Sequence, residues 1–430
     1  MNKSRVLNIL FQISEKVLRI IYIFLSTYII ATILTVSEFG EFNFFIALLT
    51  IGVGVCQLGF ENTVTLRLAK SNDNLYKEKL RNTALLIRII SVLIYFFLVI
   101  LFMVLTRNTL DETYVYIILI CLLLSCFNIF EYDLIVNEQG SKILVIRSIA
   151  YILSTIYLLF IIQLSHNSLI SSYLIIEFFS IALLLYVNSF NLIKAKKYFS
   201  FLSINEIKKL LIESFPLFLS SIGIMLYMRL DIIMLNTMTS SSDVGMYSLA
   251  VRFSESVNFI PVVIMTAIYP YLIKNNLNDN FKILFDFMFQ ISLVSIISIF
   301  FIFPYIIKYF FGPDYINSST IANILILQTI PVFLGIVRAR YLVINGYQKY
   351  IPYFVFSGLL FNIIANLILI HYYGVIGAAV ATLLSQIVST LLFPMMFKQL
   401  RPITKQMFTS IFTLGLGVYI HIFTMHKNKK

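Results

Sequence analysis

The sequence is poor in charge, in cysteine and in tryptophan. Only 12% of its 430 residues are Asp, Glu, Lys or Arg, whereas a soluble globular protein is close to one quarter charged. The three cysteines, Cys56, Cys121 and Cys126, all lie within apolar runs, which argues against a disulfide framework and against a thiolate metal site. Tryptophan is missing, so the aromatic residues are 40 Phe and 26 Tyr. We expect most of these at the lipid-facing surface and the membrane interface.

Two further absences narrow the function. The chain contains no GxxxxGK[ST] motif, so we do not expect the protein to hydrolyse ATP itself. No segment between the apolar runs is long enough to hold a nucleotide-binding domain or an extracytoplasmic domain. We therefore predict a protein that is not an enzyme, with no catalytic residues and no bound metal or cofactor other than a coupling ion.

The chain is instead rich in long hydrophobic runs. It is 60% hydrophobic, with a mean hydropathy of +0.92, and about 20 apolar residues suffice to cross a bilayer. We predict an all-α polytopic membrane protein with two six-helix lobes, residues 1–198 and 199–430. The spans, numbered 1 to 12, are predicted at residues 10–34, 39–60, 83–106, 115–137, 142–163, 169–191, 210–236, 246–271, 283–307, 319–343, 350–371 and 375–397.

The two ends of the chain need separate treatment. The first apolar run carries Glu15, Lys16 and Arg19 and lacks a small-residue cleavage site, so we expect it to remain as span 1 and not to be a cleaved signal peptide. The last run, Met407 to Met425, fits either a thirteenth span or an interfacial segment. Both alternatives stay open.

The distribution of basic residues predicts the orientation. When the N-terminus is placed in the cytoplasm, 19 Lys and Arg residues fall in inside segments and two, Arg107 and Lys308, fall in outside loops. Inside loops of membrane proteins carry this excess of positive charge. The net charge of +12 is therefore a topology signal, and we expect a multi-pass protein of the bacterial cytoplasmic membrane with no nucleic-acid partner.

Short motifs recur in the two lobes in the same order. The pairs are SEFGEF at 37–42 and SDVGMY at 242–247, LAK at 68–70 and LIK at 272–274, and VNEQGSK at 136–142 and INGYQK at 344–349. The similar offsets indicate a duplicated lobe, and an even number of spans keeps both copies in the same orientation. Two parallel lobes around a central cavity are typical of transporters.

The segment 215–274 contains a Pro that opens the helix, R-x-D-x-x-M-L, V-G-x-Y, an Arg, and a Pro before Y-P. With these elements it resembles spans 7 and 8 of Wzx-type polysaccharide flippases of the MOP exporter superfamily. GVIGAAVATLLSQ at 374–386 resembles span 12 of the same family, and EFGEF fits its first loop. The resemblance implies a MATE/MOP-like fold and the translocation of an undecaprenyl-pyrophosphate-linked oligosaccharide to the outer leaflet.

Ionisable residues within the predicted spans are candidates for function, because a charge at that depth is costly. Arginine suits a pyrophosphate through its forked donors. Arginines on spans 1, 2 and 8 of the related lipid II flippases contact the pyrophosphate; Arg19 and Arg252 match the first and last of these, whereas span 2 offers only Glu41. The candidate substrate-binding residues are Lys16, Arg19, Arg252, Arg88 and Arg147, although Arg88 and Arg147 fit equally well as side chains that reach the cytoplasmic interface.

Asp231 is the candidate coupling residue. Residues of span 11 and span 12 resemble the remaining sodium ligands of lipid II flippases in their spacing; they are Asn362, Asn366, Ala378 and Thr382. Asn366 is neutral where that family often has Asp, so both Na⁺ and H⁺ remain candidates. Asn pairs also occur as simple contacts between membrane helices. Arg229 points about 200° away from Asp231 on the helix, and we expect a separate carboxylate, such as Glu255 or Glu213, to hold it.

Three functions are compatible with these features. The first is a flippase for a lipid-linked oligosaccharide, in contact with membrane lipids and with the polymerase and glycosyltransferases of its pathway. The second is a multidrug or small-molecule exporter of the same superfamily. The third is a membrane polymerase or glycosyltransferase, which the short outside loops disfavour.

Overall fold

The computed structural model describes residues 3–106, 111–163, 167–190, 201–275 and 281–417, and these residues are almost entirely helical. They divide into two compact units. Unit 1 comprises residues 1–35 and 41–229. Its helices are α1 (Lys3–Ile33), α2 (Val36–Gln57), α3 (Phe60–Lys70), α4 (Asn74–Thr106), α5 (Glu112–Ser125), α6 (Glu131–Val136), α7 (Gly140–Gln163), α8 (Tyr173–Phe190) and most of α9 (Ile204–Met238).

Unit 2 comprises residues 36–40 and 230–430. It includes the first turn of α2 and the end of α9. Its other helices are α10 (Ser241–Ser256), α11 (Phe259–Asn275), α12 (Phe281–Ile306), α13 (Asn317–Leu325), α14 (Thr329–Ile344), α15 (Ile351–Ile387) and α16 (Arg401–Phe412). Ser240 and Asp243 begin α10 with a capping box, which satisfies two backbone N–H groups that a helix start otherwise leaves without partners.

Eleven continuous segments of the described residues are long and apolar enough to cross a membrane. The first ten correspond to predicted spans 1 to 10, and the last, residues 348–396, contains both span 11 and span 12. Gly374 divides this last segment, because its φ of 56° and ψ of −135° are not helical and are tolerated by glycine, which has no Cβ. The prediction of an all-α protein with twelve spans is therefore confirmed.

Spans 4 and 10, the fourth span of each predicted six-span lobe, both contain a 3₁₀ break. Residues Cys126–Phe130 separate α5 from α6, and residues Ile326–Gln328 separate α13 from α14. The offset between the two breaks is close to the offset between the repeated sequence motifs. A 3₁₀ stretch within a longer helix is uncommon enough to be informative, so the shared break supports the duplication.

Each unit has its own apolar core. In unit 1 the fully buried side chains include Phe60, Leu80 and Leu210, and in unit 2 they include Phe285 and Phe333. The opposite face of the spans is apolar as well; on α4, for example, the side chains Leu93, Ile94 and Phe97 are 55–65% exposed. An exposed apolar face on a spanning helix is the surface that lipid covers.

Two boundary predictions concern residues that the structure describes only in part. The units divide within α9, between Arg229 and Leu230, whereas the predicted lobe boundary at 198/199 lies outside the described residues and stays a prediction. The ambiguous C-terminal run begins within α16, which ends at Phe412. Residues 418–425 of that run lie outside the described residues, so whether it spans the membrane also stays a prediction.

Candidate functional site

Asp231 is buried near the end of α9, where three helices of unit 2 meet at its carboxylate. Its side chain is 4% exposed. The hydroxyl of Tyr247, on α10, donates a short hydrogen bond to Asp231 Oδ2. Thr382 Oγ1, on α15, lies 3.5 Å from the same oxygen and 3.2 Å from the Tyr247 hydroxyl. The other carboxylate oxygen accepts a hydrogen bond of 2.8 Å from the backbone N–H of Ile232.

A second polar group lies on α15, on both sides of Gly374. Asn366 Nδ2 donates to Asn362 Oδ1 at 2.9 Å, as expected for two residues one helical turn apart. Asn362 Nδ2 in turn lies 3.4 Å from Ser385 Oγ. Ser385 Oγ donates to the backbone carbonyl of Thr382 at 2.8 Å. Ser385 therefore connects the Asn362–Asn366 pair to Thr382, and Thr382 in turn contacts the carboxylate of Asp231.

These residues fit a small hard cation. Asn362 and Asn366 are 1% and 0% exposed, and Ala378, one turn before Thr382, is also 0% exposed. The Oδ1 atom of Asn366 is buried without a hydrogen-bond partner, which is unusual for a native polar atom. The side-chain atoms around Asp231 that could coordinate an ion are carboxylate, hydroxyl and amide oxygens. Hard cations prefer oxygen ligands.

The charge of this group favours a monovalent ion over a divalent one. Among the described residues, no group of three or more His, Cys, Asp or Glu side chains could hold a metal ion. Ca²⁺ and Mg²⁺ sites in proteins usually contain several carboxylates, whereas the group around Asp231 has one carboxylate with amides and hydroxyls. One carboxylate balances the single charge of Na⁺ or of a proton, whereas a divalent ion in the same place would keep an uncompensated positive charge.

The predicted candidate partner Glu213 does not hold Arg229. Glu213 Oε2 accepts from Arg67 Nη2 at 2.7 Å and from Arg67 Nε at 3.0 Å. Arg229 lies 16 residues further along α9, about 24 Å away at 1.5 Å per residue. The carboxylate is therefore engaged by α3 and is out of reach of Arg229.

Arg252 and Glu255 lie one turn apart on α10, and both side chains are half-buried. Tyr247 is on the same helix, five residues before Arg252. α10 is a continuous helix from Ser241 to Ser256. The candidate phosphate-binding residue and the hydroxyl that contacts Asp231 are therefore parts of one rigid element.

In unit 1, Lys16 and Arg19 lie on α1 and are exposed in this structure. A polar network lies on α1, α7 and α8 next to them. The Tyr22 hydroxyl is 2.8 Å from Glu177 Oε2 and 2.7 Å from Ser154 Oγ, and its ring stacks on that of Tyr151 at a centroid distance of 4.5 Å. Glu177, Lys16 and Arg19 thus all belong to unit 1, and Tyr22, which contacts Glu177, lies one turn after Arg19 on α1.

The remaining two candidates have partners inside unit 1. Arg147 donates to Glu131 Oε2 at 2.7 Å. Arg88 is 0% exposed and donates to the backbone carbonyl of Ser125 at 2.9 Å, at the start of the 3₁₀ break. Both contacts lie inside unit 1 and support its fold.

Residues 3–276 match the polysaccharide biosynthesis protein family. The chain belongs to this family. The matched residues include α1 to α11, and therefore Asp231, Tyr247 and Arg252. No curated protein is similar enough in sequence to match the chain.

Solved structures share the fold of this polysaccharide biosynthesis protein. The chain is similar to lipid II flippase MurJ in an inward closed conformation, with a TM-score of 0.71 and 19% identity over 96% of this chain and 93% of that one. It is also similar to the MATE multidrug transporter DinF-BH, with a TM-score of 0.63 and 16% identity over 94% and 97%. A MOP superfamily transporter from Pyrococcus furiosus gives 0.56 and 13% over 96% of both chains. The predicted MOP/MATE-like fold is confirmed.

Two residues of the site in this polysaccharide biosynthesis protein were not among the sequence candidates. Tyr247 belongs to the V-G-x-Y motif, which marked the family without suggesting a role. Ser385 follows Thr382 by three residues, so the two side chains lie near one another on the helix surface. That spacing was the one sequence signal that could have selected Ser385.

Proposed function

We propose that the protein is a flippase that moves an undecaprenyl-pyrophosphate-linked oligosaccharide from the inner to the outer leaflet of the bacterial cytoplasmic membrane. The product would supply the assembly of a surface polysaccharide such as O-antigen or capsule, together with the polymerase and glycosyltransferases of that pathway. The observation that carries the proposal is a half-buried arginine, Arg252, within a spanning helix of a chain that belongs to the polysaccharide biosynthesis protein family.

The chemistry of such a substrate explains the need for buried cations. Two phosphates and a glycan cannot cross hydrocarbon without replacing their lost hydration, because unpaired charge in an apolar medium is very unfavourable. A guanidinium offers forked donors that match phosphate oxygens. The polyprenyl tail needs no such site, since it can stay in the bilayer during transfer.

The candidate cations differ in exposure, since Lys16 and Arg19 are exposed and Arg252 is half-buried, whereas Arg88 is fully buried. Arg252, Arg19 and Lys16 are the proposed pyrophosphate ligands. Arg88 and Arg147 are engaged with Ser125 and Glu131, so any substrate contact by either would require these bonds to break. Their contribution to transport is therefore proposed to be indirect, through the stability of unit 1.

Asp231 is the proposed coupling residue, with Asn362, Asn366, Thr382 and the backbone at Ala378. One monovalent cation that enters down about 150 mV releases roughly 3.5 kcal/mol, at about 2.3 kcal/mol per 100 mV. Couplings between distant sites are typically about 1–3 kcal/mol. One cation per cycle is therefore sufficient in scale to return an empty transporter to its cytoplasm-facing state. Because the substrate moves outward in one half of the cycle and the cation moves inward in the return half, the cycle is an antiport.

Export of small molecules is the second candidate, favoured by the similarity to a MATE multidrug transporter. The two proposals differ in the charge that the protein must bind. Cationic drugs require acidic or aromatic pockets, whereas the pyrophosphate requires basic ones. The candidate ligands Arg252, Arg19 and Lys16 favour the anionic substrate.

Reconstituted protein in liposomes tests the proposal. A fluorescent lipid pyrophosphate carrying a short glycan is placed in both leaflets, and the outward-facing fraction is followed by an impermeant quencher under an imposed Na⁺ or H⁺ gradient. We expect protein-dependent transfer that responds to one of the gradients. Transfer of a cationic dye without any transfer of the lipid pyrophosphate would favour the exporter instead.

A further inference from the structure

The V-G-x-Y motif, residues 244–247, places a tyrosine hydroxyl on the candidate coupling carboxylate. Tyr247 is 0% exposed, and its hydroxyl donates to Asp231 Oδ2. A buried tyrosine hydroxyl needs a partner, but many neutral partners would satisfy it. Contact with a carboxylate that is itself a candidate ion ligand places the hydroxyl within the proposed ion site.

Three oxygens from three helices form a small triangle around this contact. Thr382 Oγ1 is 3.2 Å from Tyr247 Oη and 3.5 Å from Asp231 Oδ2. An ion held at about 2.4 Å by ligands at right angles places those ligands about 3.4 Å apart. Two sides of the triangle therefore already have the length that a hard cation requires. The third side, between Tyr247 and Asp231, is shortened by their hydrogen bond.

We propose that Tyr247 is a ligand of the coupling site, whose hydroxyl donates its hydrogen bond to Asp231 when the site is empty and to Thr382 when Asp231 and Tyr247 share a monovalent metal cation. The proposal rests on the proposed coupling role of Asp231. It adds a fifth side chain to that site and gives the family motif a function. It also commits the site to a metal cation such as Na⁺.

The proton rearrangement has acceptors at each step. Tyr247 Oη and Thr382 Oγ1 lie at hydrogen-bond distance, and either can donate. A threonine hydroxyl within a helix can donate a hydrogen bond to the carbonyl four residues earlier, which for Thr382 is that of Ala378. Tyr247 then keeps an oxygen lone pair directed at the ion. The backbone near Ala378 thereby contributes without a side chain.

The same hydroxyl connects the ion site to the substrate helix. Tyr247 and Arg252 lie five residues apart on α10, about 7.5 Å along the helix axis. When Tyr247 exchanges its bond to Asp231 for a bond to Thr382, the change acts on α10 as well as on α9 and α15. The occupancy of the ion site is therefore transmitted to the helix that carries a proposed phosphate ligand.

Ion-dependent thermal stability tests the proposal without any transport. Purified protein is unfolded in detergent at increasing NaCl, with choline chloride holding the ionic strength constant. A ligand that binds only the native state stabilises it by RT ln(1 + [L]/Kd), so the unfolding midpoint rises with the logarithm of the ligand concentration once that concentration exceeds Kd. We expect a rise of the midpoint with Na⁺ for the parent, no rise for Asp231→Asn, and a fitted Kd for Na⁺ about 10–100-fold higher for Tyr247→Phe, the range seen when supporting contacts of a metal site are lost.

Matched variants separate ligation from general stability. Tyr95 is another buried tyrosine, whose hydroxyl donates to the carbonyl of Leu48 at 2.6 Å in unit 1. Tyr95→Phe removes one buried hydrogen bond as Tyr247→Phe does, so we expect a lower midpoint with an unchanged fitted Kd for Na⁺. Thr382→Val, which removes the acceptor for the Tyr247 proton, should weaken Na⁺ binding and serves also if Tyr247→Phe does not fold.

The possible results of these measurements test the role of Tyr247, the role of Asp231 and the flippase proposal separately. If Tyr247→Phe responds to Na⁺ as the parent does while Asp231→Asn does not, the ion site stands and the role of Tyr247 is overturned. If the parent shows no response to Na⁺, both Tyr247 and Asp231 lose their proposed role as metal ligands. Transfer of the lipid pyrophosphate in the same preparation would then show that the flippase assignment survives that loss.

Discussion

Gly40 at the start of α2 lies directly against Gly245 of α10. A Cβ atom on Gly40 would come within 3.0 Å of the backbone nitrogen of Gly245, and one on Gly245 would come within 3.3 Å of the nitrogen of Gly40. The two residues hold the same position in the repeated motifs SEFGEF and SDVGMY. The duplicated glycine is thus explained in both copies by one close backbone contact.

Replacing Gly245 with alanine should separate α2 from α10. The added methyl group would overlap the carbonyl oxygen of Val36, and backbone cannot move aside as a side chain can. We expect a lower unfolding midpoint and a loss of lipid pyrophosphate transfer. Gly335→Ala is the matched control on α14, since its methyl group meets only the Thr390 side chain, at 3.2 Å, and gains about 1 kcal/mol of helix propensity. Equal behaviour of the two variants would contradict the steric argument.

Arg252→Ala should abolish lipid pyrophosphate transfer while the protein still reaches the membrane at the normal level. Arg252→Lys should keep part of the activity, because the charge survives and the forked geometry does not. The measurement is the liposome assay, with surface polysaccharide and protein level measured in cells. Normal surface polysaccharide at a normal level of Arg252→Ala protein would remove Arg252 from the substrate site.

Asp231→Asn should remove the response of transport to the ion gradient and leave substrate binding almost unchanged, because no substrate contact is lost. Binding of a fluorescent lipid pyrophosphate to detergent-purified protein gives the first quantity, and transfer under an imposed Na⁺ or H⁺ gradient gives the second. A variant that transports as well as the parent under the same gradient would make the carboxylate structural.

The buried ion pair Arg81–Asp133 should contribute more to the free energy of unfolding than the more exposed pair Arg67–Glu213. Arg81 and Asp133 lie 2.8 Å apart, and each side chain is 9% exposed, so Asp133→Asn leaves a buried charge uncompensated at a cost of about 3–5 kcal/mol. Glu213, paired with Arg67, is 55% exposed, and Glu213→Gln should cost no more than about 1 kcal/mol. Thermal unfolding in detergent measures both, and similar midpoints would show that the burial of the pair has little effect.

The orientation can be tested by labelling single cysteines in intact cells. Asn74, at the exposed start of α4, should react with an impermeant thiol reagent only after the membrane is opened, because the basic residues place it inside. Glu112, at the exposed start of α5, should react from outside. The three native cysteines are buried, so their background labelling should be low. The reverse pattern would invert the assigned topology.

The sequence was sufficient for those features that depend on neighbours along the chain. The spans follow from runs of apolar residues, and the contact between Asn362 and Asn366 follows from their spacing of one helical turn. The fold class followed as well, because two copies of a six-span lobe leave few alternatives. In each case the sequence pattern lies within one helix, or it is a motif that is repeated in the second lobe.

The sequence was insufficient where contacts join distant helices. No periodicity relates Tyr247 to Asp231 or Ser385 to Asn362, since these contacts depend on how α10 and the two halves of α15 pack. Glu213 was a plausible partner for Arg229 by charge alone, and the length of α9 excludes it. Gly374 could be identified as a helix break from its residue type, but its non-helical φ and ψ are a property of the folded chain.

The burial of Arg88 has a consequence for how the protein is made. Its guanidinium is enclosed in unit 1 and bonds the carbonyl of Ser125, which is 37 residues later in the chain. A lone arginine in a newly inserted helix costs up to about 2.5–3.5 kcal/mol, the value at the helix centre, and the acceptor for this one follows α4 in the chain and reaches the membrane only after it. α4 and α5 should therefore enter the bilayer as a pair, and truncation before Ser125 should leave α4 poorly inserted.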